Sequence, residues 1–197
     1  MINTKKYLKN LEIAIKNLDI NKIQKIENLI LKTIKNKKNI LVCGNGGAAS
    51  ISNHLLCDFN KGIKISSKGK LKPKVLSLSN NLEIITAISN DINYNEIFLH
   101  QLENYYSKGD LVITFSCSGT SANVVKVMRY CKFNKIPLIS FTGFATKKYQ
   151  QLSTLNVNIG IKNYGICEDM FQIIMHIISQ NLRIKYFRKK NKYKAVL

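Results

Sequence analysis

The chain has 197 residues, 45% hydrophobic and 21% charged, a composition that is typical of one globular domain and excludes a disordered protein. Its net charge of +20 attracts anions such as phosphorylated metabolites, acidic membranes or nucleic acid. No apolar run reaches the roughly 18 residues of a membrane span, and the N-terminus lacks the apolar core of a signal peptide. The five cysteines form no C-x-x-C pair. We therefore predict a reduced, cytoplasmic protein that does not bind membranes.

The first part of the chain is predicted to be helical. Apolar residues recur at helical spacing from Leu8 to Leu18 and again from Ile23 to Ile34, with a break near Asp19. Residues 3–36 therefore form two helices, which pack either on each other or on a partner subunit.

After this region, short apolar runs alternate with stretches of helical periodicity. Five runs are predicted to be strands: Asn39–Cys43, Lys74–Leu78, Leu111–Phe115, Pro137–Phe141 and Thr154–Ile159. Four stretches are predicted to be helices: Ala48–Phe59, Leu82–Ser89, Ser121–Phe133 and Glu168–Tyr186.

This alternation predicts an α/β fold, a three-layer αβα sandwich around a parallel sheet of five strands, with a helical extension at the N-terminus. We divide the chain into a helical region (1–38), the α/β domain (39–186) and a basic tail (187–197). Ligands of such folds bind beyond the carboxyl ends of the strands.

A glycine-rich loop follows the first predicted strand, with the sequence Gly44-Asn-Gly-Gly-Ala-Ala-Ser50. Glycines allow the backbone to approach a ligand closely, and the following helix offers free N–H groups. A purely structural turn explains the glycines about as well. The loop lacks the spacing of a dinucleotide-binding fingerprint, so we expect no nucleotide cofactor.

A second loop, rich in hydroxyl groups, follows the third predicted strand. Within Phe115-Ser-Cys-Ser-Gly-Thr-Ser121 there are four hydroxyl side chains around one glycine, at the start of a helix. An ordinary helix cap needs one hydroxyl and not four. We therefore predict that this serine loop binds phosphate.

Two predicted helices carry candidate groups for acid–base chemistry. His54 and Asp58 share one helix face, and Glu168, Gln172 and His176 share a face of the last helix. Together the two faces offer two imidazoles and two carboxylates, which suit proton transfer or a divalent metal ion. His54 taken alone is better explained as a hydrogen-bonded core residue, and only the joint pattern favours a functional role.

Several blocks of the sequence, in order, are similar to one known family. They are Gly44-Asn-Gly-Gly with Asn53-His54, Ser89-Asn-Asp91, Phe98 with Gln101, Lys108-Gly-Asp110 and Ser116-x-Ser-Gly-x-Ser121. From about Ile40 to Tyr186 the chain resembles the sugar isomerase (SIS) domain family, with its flavodoxin-like fold, and within it the phosphoheptose isomerases. This resemblance implies interconversion of sedoheptulose 7-phosphate and D-glycero-D-manno-heptose 7-phosphate, for the heptose of lipopolysaccharide or capsule.

The resemblance also implies roles for individual residues. The base would be Asp58 or Glu168 and the acid His176, and one divalent ion per subunit, most simply Zn²⁺, would be held by His54, Asp58, Glu168 and His176. Substrate-binding residues would be Asn45, Gly46, Gly47, Asn90, Asp91, Ser116, Cys117, Ser118, Thr120 and Ser121. Gln101 and Asp91 would line the pocket or bridge subunits of a homotetramer, which the N-terminal helices would help to build.

The chain departs from the family at two of the positions that would carry the base and the metal ligands. Asp58 stands where the family has a glutamate that acts as base and ligand, and Glu168 stands where the family has a metal-binding glutamine. One alternative is therefore a non-catalytic phosphosugar-binding regulator, or a replication-initiator-associating protein of the same family. Nucleic-acid binding through the basic run from Arg183 to Lys194 is the weaker alternative, because charge runs usually face water.

Overall fold

The computed structural model describes residues 4–186, so the predicted basic tail (187–197) lies outside the described residues. The helices are α1 (Thr4–Lys16), α2 (Ile20–Lys35), α3 (Gly47–Cys57), α4 (Lys64–Ser66), α5 (Leu82–Asp91), α6 (Leu99–Tyr105), α7 (Ala122–Phe133), α8 (Lys147–Gln150) and α9 (Tyr164–Tyr186). The strands are β1 (Asn39–Gly44), β2 (Lys74–Ser77), β3 (Leu111–Ser116), β4 (Leu138–Thr142) and β5 (Leu155–Asn158). A π-helical turn (Asp58–Ile63) joins α3 to α4, and a 3₁₀ turn (Tyr94–Glu96) precedes α6.

The five strands form one parallel sheet in the order β2-β1-β3-β4-β5, which confirms the predicted fold class. This is the flavodoxin-like order, in which the strand order reverses between β1 and β3. The connection after β1 leads to β2 on one side of this point and the connection after β3 leads to β4 on the other side, which leaves a crevice between the two loops. Both loops predicted to bind the ligand therefore flank the switch point of the sheet.

Helices cover both faces of the sheet, which explains the uniform apolar runs of its central strands β1, β3 and β4. In β1, Ile40 and Val42 pack against α2, α3 and α9, whereas Leu41 and Cys43 pack against α5, α6 and α7. Phe115 and Phe141 from neighbouring strands stack with ring centroids 5.0 Å apart, and Phe171 of α9 packs onto both. Strands buried on both faces lack the apolar–polar alternation of a half-exposed sheet.

The two N-terminal helices pack on the α/β domain of their own chain. Asp19 caps α2 by accepting a hydrogen bond from the backbone N–H of Lys22 at 2.9 Å, which explains the break in periodicity there. The apolar side of α2 enters the main core. Helix α1 lies against α9, where the Tyr7 hydroxyl donates to Asp169 at 2.6 Å. Within residues 4–186 no helix combines the length and apolar content needed to cross a bilayer.

Asp110 stabilises the amino-terminal ends of β1 and β3, at the end of the sheet opposite the two loops. Its buried carboxylate accepts hydrogen bonds from the backbone and side-chain amides of Asn39 at 2.8 and 3.0 Å and from the backbone N–H of Ser107 at 2.9 Å. The Lys108-Gly-Asp110 block is thus explained by its anchoring of the start of β1.

Replacing Asp110 with alanine is expected to lower the free energy of unfolding by about 3 kcal/mol, because the amides of Asn39 and Ser107 lose their acceptor in the interior. Urea denaturation measures this change. Glu103→Ala, on the exposed side of α6, is the control and should stay within about 0.5 kcal/mol. Equal stability of the two variants would contradict the anchoring role.

Candidate functional site

The glycine-rich loop turns tightly between β1 and α3. Gly46 has φ of +55°, a left-handed conformation that strains other residues. A β-carbon on Gly44 would lie 2.8 Å from the β-carbon of Ala48, so only glycine allows the chain to turn back on itself there. Helix α3 begins directly after this turn and no side chain caps its start, so its first N–H groups suit an anion or a carbonyl oxygen.

A reciprocal amide pair joins the glycine-rich loop to the start of α7. The side chains of Asn45 and Asn123 exchange hydrogen bonds at 2.9 and 3.1 Å, and the Tyr94 hydroxyl donates to the amide oxygen of Asn45 at 2.9 Å. The pair crosses the switch point and fixes the width of the crevice. Neither Tyr94 nor Asn123 was predicted from the sequence.

The serine loop is shaped by its own hydroxyl groups. Ser116 Oγ accepts a hydrogen bond from the Gly119 N–H at 3.1 Å and lies 3.4 Å from Ser121 Oγ, while Ser118 Oγ accepts from the Thr120 N–H at 3.2 Å. Gly119 has φ of +68°, and a β-carbon there would lie 2.3 Å from that of Ala145. The loop is therefore held in a tight curve ahead of α7, a good cradle for a phosphate group.

A cavity of about 110 Å³ lies where the two loops meet α9. Its lining residues are Asn45, Ala48, Phe115, Ser116, Cys117, Ser118, Ser121, Tyr164 and Glu168. Most of the predicted phosphate-binding side chains thus share one cavity, whereas Thr120 is exposed at its rim.

Glu168 lies at the glycine-rich loop. A β-carbon on Gly47 would lie 2.3 Å from Glu168 Oε2, so the carboxyl group occupies the space that only glycine leaves open at the start of α3. Burial raises the pKa of Glu168, and the neighbouring Asp169 raises it further. The structure therefore places this carboxyl group in the cavity of the serine loop.

Because an ionised Glu168 repels a bound phosphate, Glu168→Gln is expected to bind inorganic phosphate and phosphosugars more tightly. At pH 8 the gain should be about 5–30-fold, the equivalent of roughly 1–2 kcal/mol of repulsion. Since the pKa of Glu168 is raised, more of the wild-type carboxyl is protonated near pH 5, and the difference in phosphate affinity between the variant and the wild type should be smaller there. Isothermal titration calorimetry at pH 8 and pH 5 measures the two affinities.

Asp169→Asn is the matched control, because Asp169 contacts Tyr7 and should alter the affinity less than about 2-fold. An unchanged or weaker phosphate affinity of Glu168→Gln would contradict the placement of Glu168 beside the phosphate.

His54, Asp58 and His176 form a second cluster, between α3 and α9. The Nε2 atoms of the two histidines are 3.1 Å apart, and Asp58 Oδ2 lies 3.6 Å from His54 Nε2 and 3.7 Å from His176 Nε2. Ser179 donates a hydrogen bond to the same carboxylate at 3.4 Å. The cluster joins the two helix faces that the sequence predicted to meet.

The π-helical turn positions Asp58 in this cluster. Asn60 holds the turn against β2, because its side-chain amide accepts from the Val75 N–H and donates to the Val75 carbonyl, both at 2.9 Å. π-Helical turns occur frequently at functional sites. Here the turn begins at Asp58, four residues after His54.

The donor atoms of this cluster suit a divalent metal ion. One atom each from His54, Asp58 and His176 lies within 4.8 Å of the others, and no other such group of His, Cys, Asp and Glu residues occurs within residues 4–186. Two imidazole nitrogens and one carboxylate oxygen are common ligands of catalytic zinc. Glu168, predicted as a fourth ligand, is not part of this group.

The remaining predicted site residues lie elsewhere in the chain. Asn90 and Asp91 end α5, where the Asn90 amide donates to Asp91 at 2.9 Å, and both are outside the cavity lining. Gln101 is buried and donates to the carbonyls of Leu78 and Ile97 at 2.9 and 2.6 Å. Its amide group thus ties α6 to the end of β2.

Tyr164 and Gln172 are the site residues of α9 that the sequence analysis did not assign a role. Tyr164 lines the cavity, and Gln172 Nε2 lies 2.7 Å from His176 Nε2. The position of Tyr164 just after the last strand was a usable signal, because all strand ends of a parallel sheet meet at one edge.

Comparisons with known proteins agree with this architecture. The family model of the SIS domain matches residues 5–143. The phosphoheptose isomerase of Helicobacter pylori strain Shi470 is 32% identical over 163 residues, 83% of each chain. The probable phosphoheptose isomerase of Thermoplasma acidophilum is 29% identical over 185 residues, which is 94% of this chain and 100% of that protein.

Among solved structures, the phosphoheptose isomerase of Neisseria gonorrhoeae superposes with a TM-score of 0.78 over 89% of this chain and 91% of that chain. At 21% sequence identity this likeness concerns the fold.

Proposed function

The chain belongs to the SIS domain family, and on this premise we propose that it is a phosphoheptose isomerase. It interconverts sedoheptulose 7-phosphate and D-glycero-D-manno-heptose 7-phosphate, which supplies heptose for lipopolysaccharide or capsule. The observation that carries this proposal is the pairing of a phosphate cradle with an acid–base cluster on the same helix, α9, in a chain whose relatives are phosphoheptose isomerases.

The spacing of the two sites suits a heptose phosphate. Glu168 in the cavity and His176 in the cluster are eight residues apart on α9, about 12 Å at 1.5 Å per residue. The substrate carries its phosphate at C7, and the proton moves between C1 and C2 at the other end of the carbon chain. With the phosphate in the serine loop, C1 and C2 therefore reach the cluster.

The cluster of His54, Asp58 and His176 carries out the proton transfer. Asp58 takes the proton from one carbon and returns it to the neighbouring carbon through an enediol, and His176 moves the second proton between the sugar oxygens. Asp58 is preferred to Glu168 as the base because it lies beside both histidines, whereas Glu168 lies in the phosphate cavity. His54, Asp58 and His176 would hold the divalent ion, in our proposal Zn²⁺, which would stabilise negative charge on the sugar oxygens.

The phosphate is bound by the serine loop and the start of α7. Hydroxyl groups of Ser116, Ser118, Thr120 and Ser121 donate to it together with the first N–H groups of the helix, and Cys117 lines the same cavity. Asn45, Gly46 and Gly47 bind the sugar portion. Asn90 and Asp91, remote from the cavity of their own chain, are proposed to reach the substrate of a neighbouring subunit.

The assembly is proposed to be a homotetramer built in part by residues 1–38. Helix α1 supports this role because its side chains Leu8, Ile13 and Ile15 are 57%, 43% and 46% exposed, and a partner subunit would bury this apolar surface. A cytoplasmic location is proposed as well, since none of the five cysteines forms a disulfide.

The test is to incubate the metal-loaded protein with sedoheptulose 7-phosphate and to follow formation of the aldose. Turnover supports the proposal. A folded protein that binds the phosphosugar without turnover would overturn it and favour a phosphosugar-binding regulator of the same family.

A further inference from the structure

We propose that Gln172 is the fourth ligand of the metal site, with its side-chain amide oxygen in the place predicted for Glu168. This inference rests on the proposed metal site of the isomerase and adds to it a residue that neither the sequence analysis nor the family relationship assigns.

The first argument is the distance between the groups. Gln172 Nε2 lies 2.7 Å from His176 Nε2, the atom that also faces His54 and Asp58. The oxygen and nitrogen of an amide exchange places by a half-turn of the group. That half-turn brings Gln172 Oε1 to the same point, where it faces a bound cation beside the two imidazoles.

The second argument is that two polar groups compete for the same ring nitrogen of His176. His176 Nε2 has His54 Nε2 at 3.1 Å and Gln172 Nε2 at 2.7 Å, yet one ring nitrogen either donates one hydrogen or accepts at one lone pair. Two imidazole nitrogens, an amide and a carboxylate that converge in this way form a donor set that suits a divalent cation. A central ion gives every one of these lone pairs a partner at once.

The third argument is the symmetry of the two helices. His54 and Asp58 are four residues apart at the end of α3, and Gln172 and His176 are four residues apart on α9. Residues at this spacing lie side by side on a helix face. Two such pairs facing each other supply the four ligands of a tetrahedral site.

The carboxyl group of Glu168 is not among the donor atoms that converge at this site. It contacts Gly47 and lines the phosphate cavity, one helical turn beyond Gln172. A neutral amide in the site leaves Asp58 as its one carboxylate. The bound ion then keeps more of its positive charge for the substrate oxygens than it would with two carboxylate ligands.

The experiment measures metal binding directly. Zn²⁺ is titrated into the metal-free protein in competition with a chromophoric chelator, and Co²⁺ is added separately because its visible absorption reports the number of ligands. Gln172→Leu removes the donor at similar size, Gln172→Glu restores an oxygen ligand, and Glu168→Gln is the matched control on the same helix. Thermal unfolding of each metal-free variant checks the fold.

Gln172→Leu is expected to lower the Zn²⁺ affinity by about 100-fold or more, the upper end of what outer-shell partners contribute. Gln172→Glu should stay within about 10-fold of the wild type and Glu168→Gln within about 3-fold. The Co²⁺ spectrum should change for Gln172→Leu alone. If Gln172→Leu does not fold, Gln172→Ser, whose hydroxyl cannot reach the ion, takes its place.

Wild-type affinity and an unchanged Co²⁺ spectrum in Gln172→Leu would overturn the proposal, as would a large loss confined to Glu168→Gln. A wild-type protein that binds neither ion would remove the metal site itself. Isomerase turnover, measured separately on the same preparation, distinguishes that outcome from failure of the proposed reaction.

Discussion

Replacing His176 with alanine is expected to lower kcat for sedoheptulose 7-phosphate by at least about 10³-fold. General acid–base groups contribute roughly 10²–10⁴-fold, and His176 also lies 3.1 Å from His54 in the proposed metal site. The value of KM should change little, because the serine loop and its cavity lie about two helical turns away and remain intact. Initial rates of aldose formation, with the metal supplied in excess, measure both constants.

His100→Ala provides a control with the same chemical change. His100 is exposed on α6 and belongs to neither the cluster nor the cavity lining, so its loss should leave kcat within about 2-fold of the wild type. Turnover of His176→Ala at the wild-type rate would refute the assignment of the cluster to catalysis. A rise in KM with unchanged kcat would assign His176 to substrate binding only.

Asp58→Asn is expected to lower kcat by about 10²–10⁴-fold, the contribution of a positioned general base. The substitution preserves the size of the side chain and removes its basicity, and Asn cannot accept the proton from carbon. Because Asp58 lies 3.6 and 3.7 Å from the two histidine nitrogens, the metal content of the variant is measured alongside its turnover. Loss of kcat at full metal occupancy isolates the role of the base.

Two further variants decide between the carboxylates that the sequence offers as the base. Asp58→Glu keeps a carboxylate and should retain turnover within about 10-fold, and Glu168→Gln should do the same because Glu168 lies in the phosphate cavity. The opposite pattern, an active Asp58→Asn and an inactive Glu168→Gln, would transfer the role of the base to Glu168.

The strands and their loops could be predicted because their signals are local. The central strands β1, β3 and β4 are buried on both faces and are therefore largely apolar, and each of the five apolar runs corresponds to a strand of the sheet. The hydroxyl-rich segment Ser116–Ser121 likewise follows β3 and precedes α7, as its composition indicated. Helix α6 was missed because it buries only Gln101 and Leu102 and shows no clear helical periodicity.

The membership of the metal cluster could be predicted only in part. Spacing by four residues placed His54 with Asp58 and placed Glu168, Gln172 and His176 on one face of α9, but it could not say which turn of α9 meets α3. That choice depends on how the two helices cross and on the π-helical turn at Asp58, which has no sequence signal of its own. Buried polar residues such as Gln101 and Asp110 raise the same difficulty, because their partners are distant in sequence.

The sequence by itself therefore determined the parallel α/β fold, the loop that suits a phosphate and the two helix faces that carry the acid–base groups. These follow from hydrophobic periodicity and from side-chain chemistry, which act over a few residues. Only the tertiary structure separated Glu168 from the metal cluster and brought His54 and Asp58 to His176. Such contacts depend on the crossing of helices more than 100 residues apart in sequence, where a shift of one helical turn, about 5.4 Å, exchanges one candidate ligand for the next.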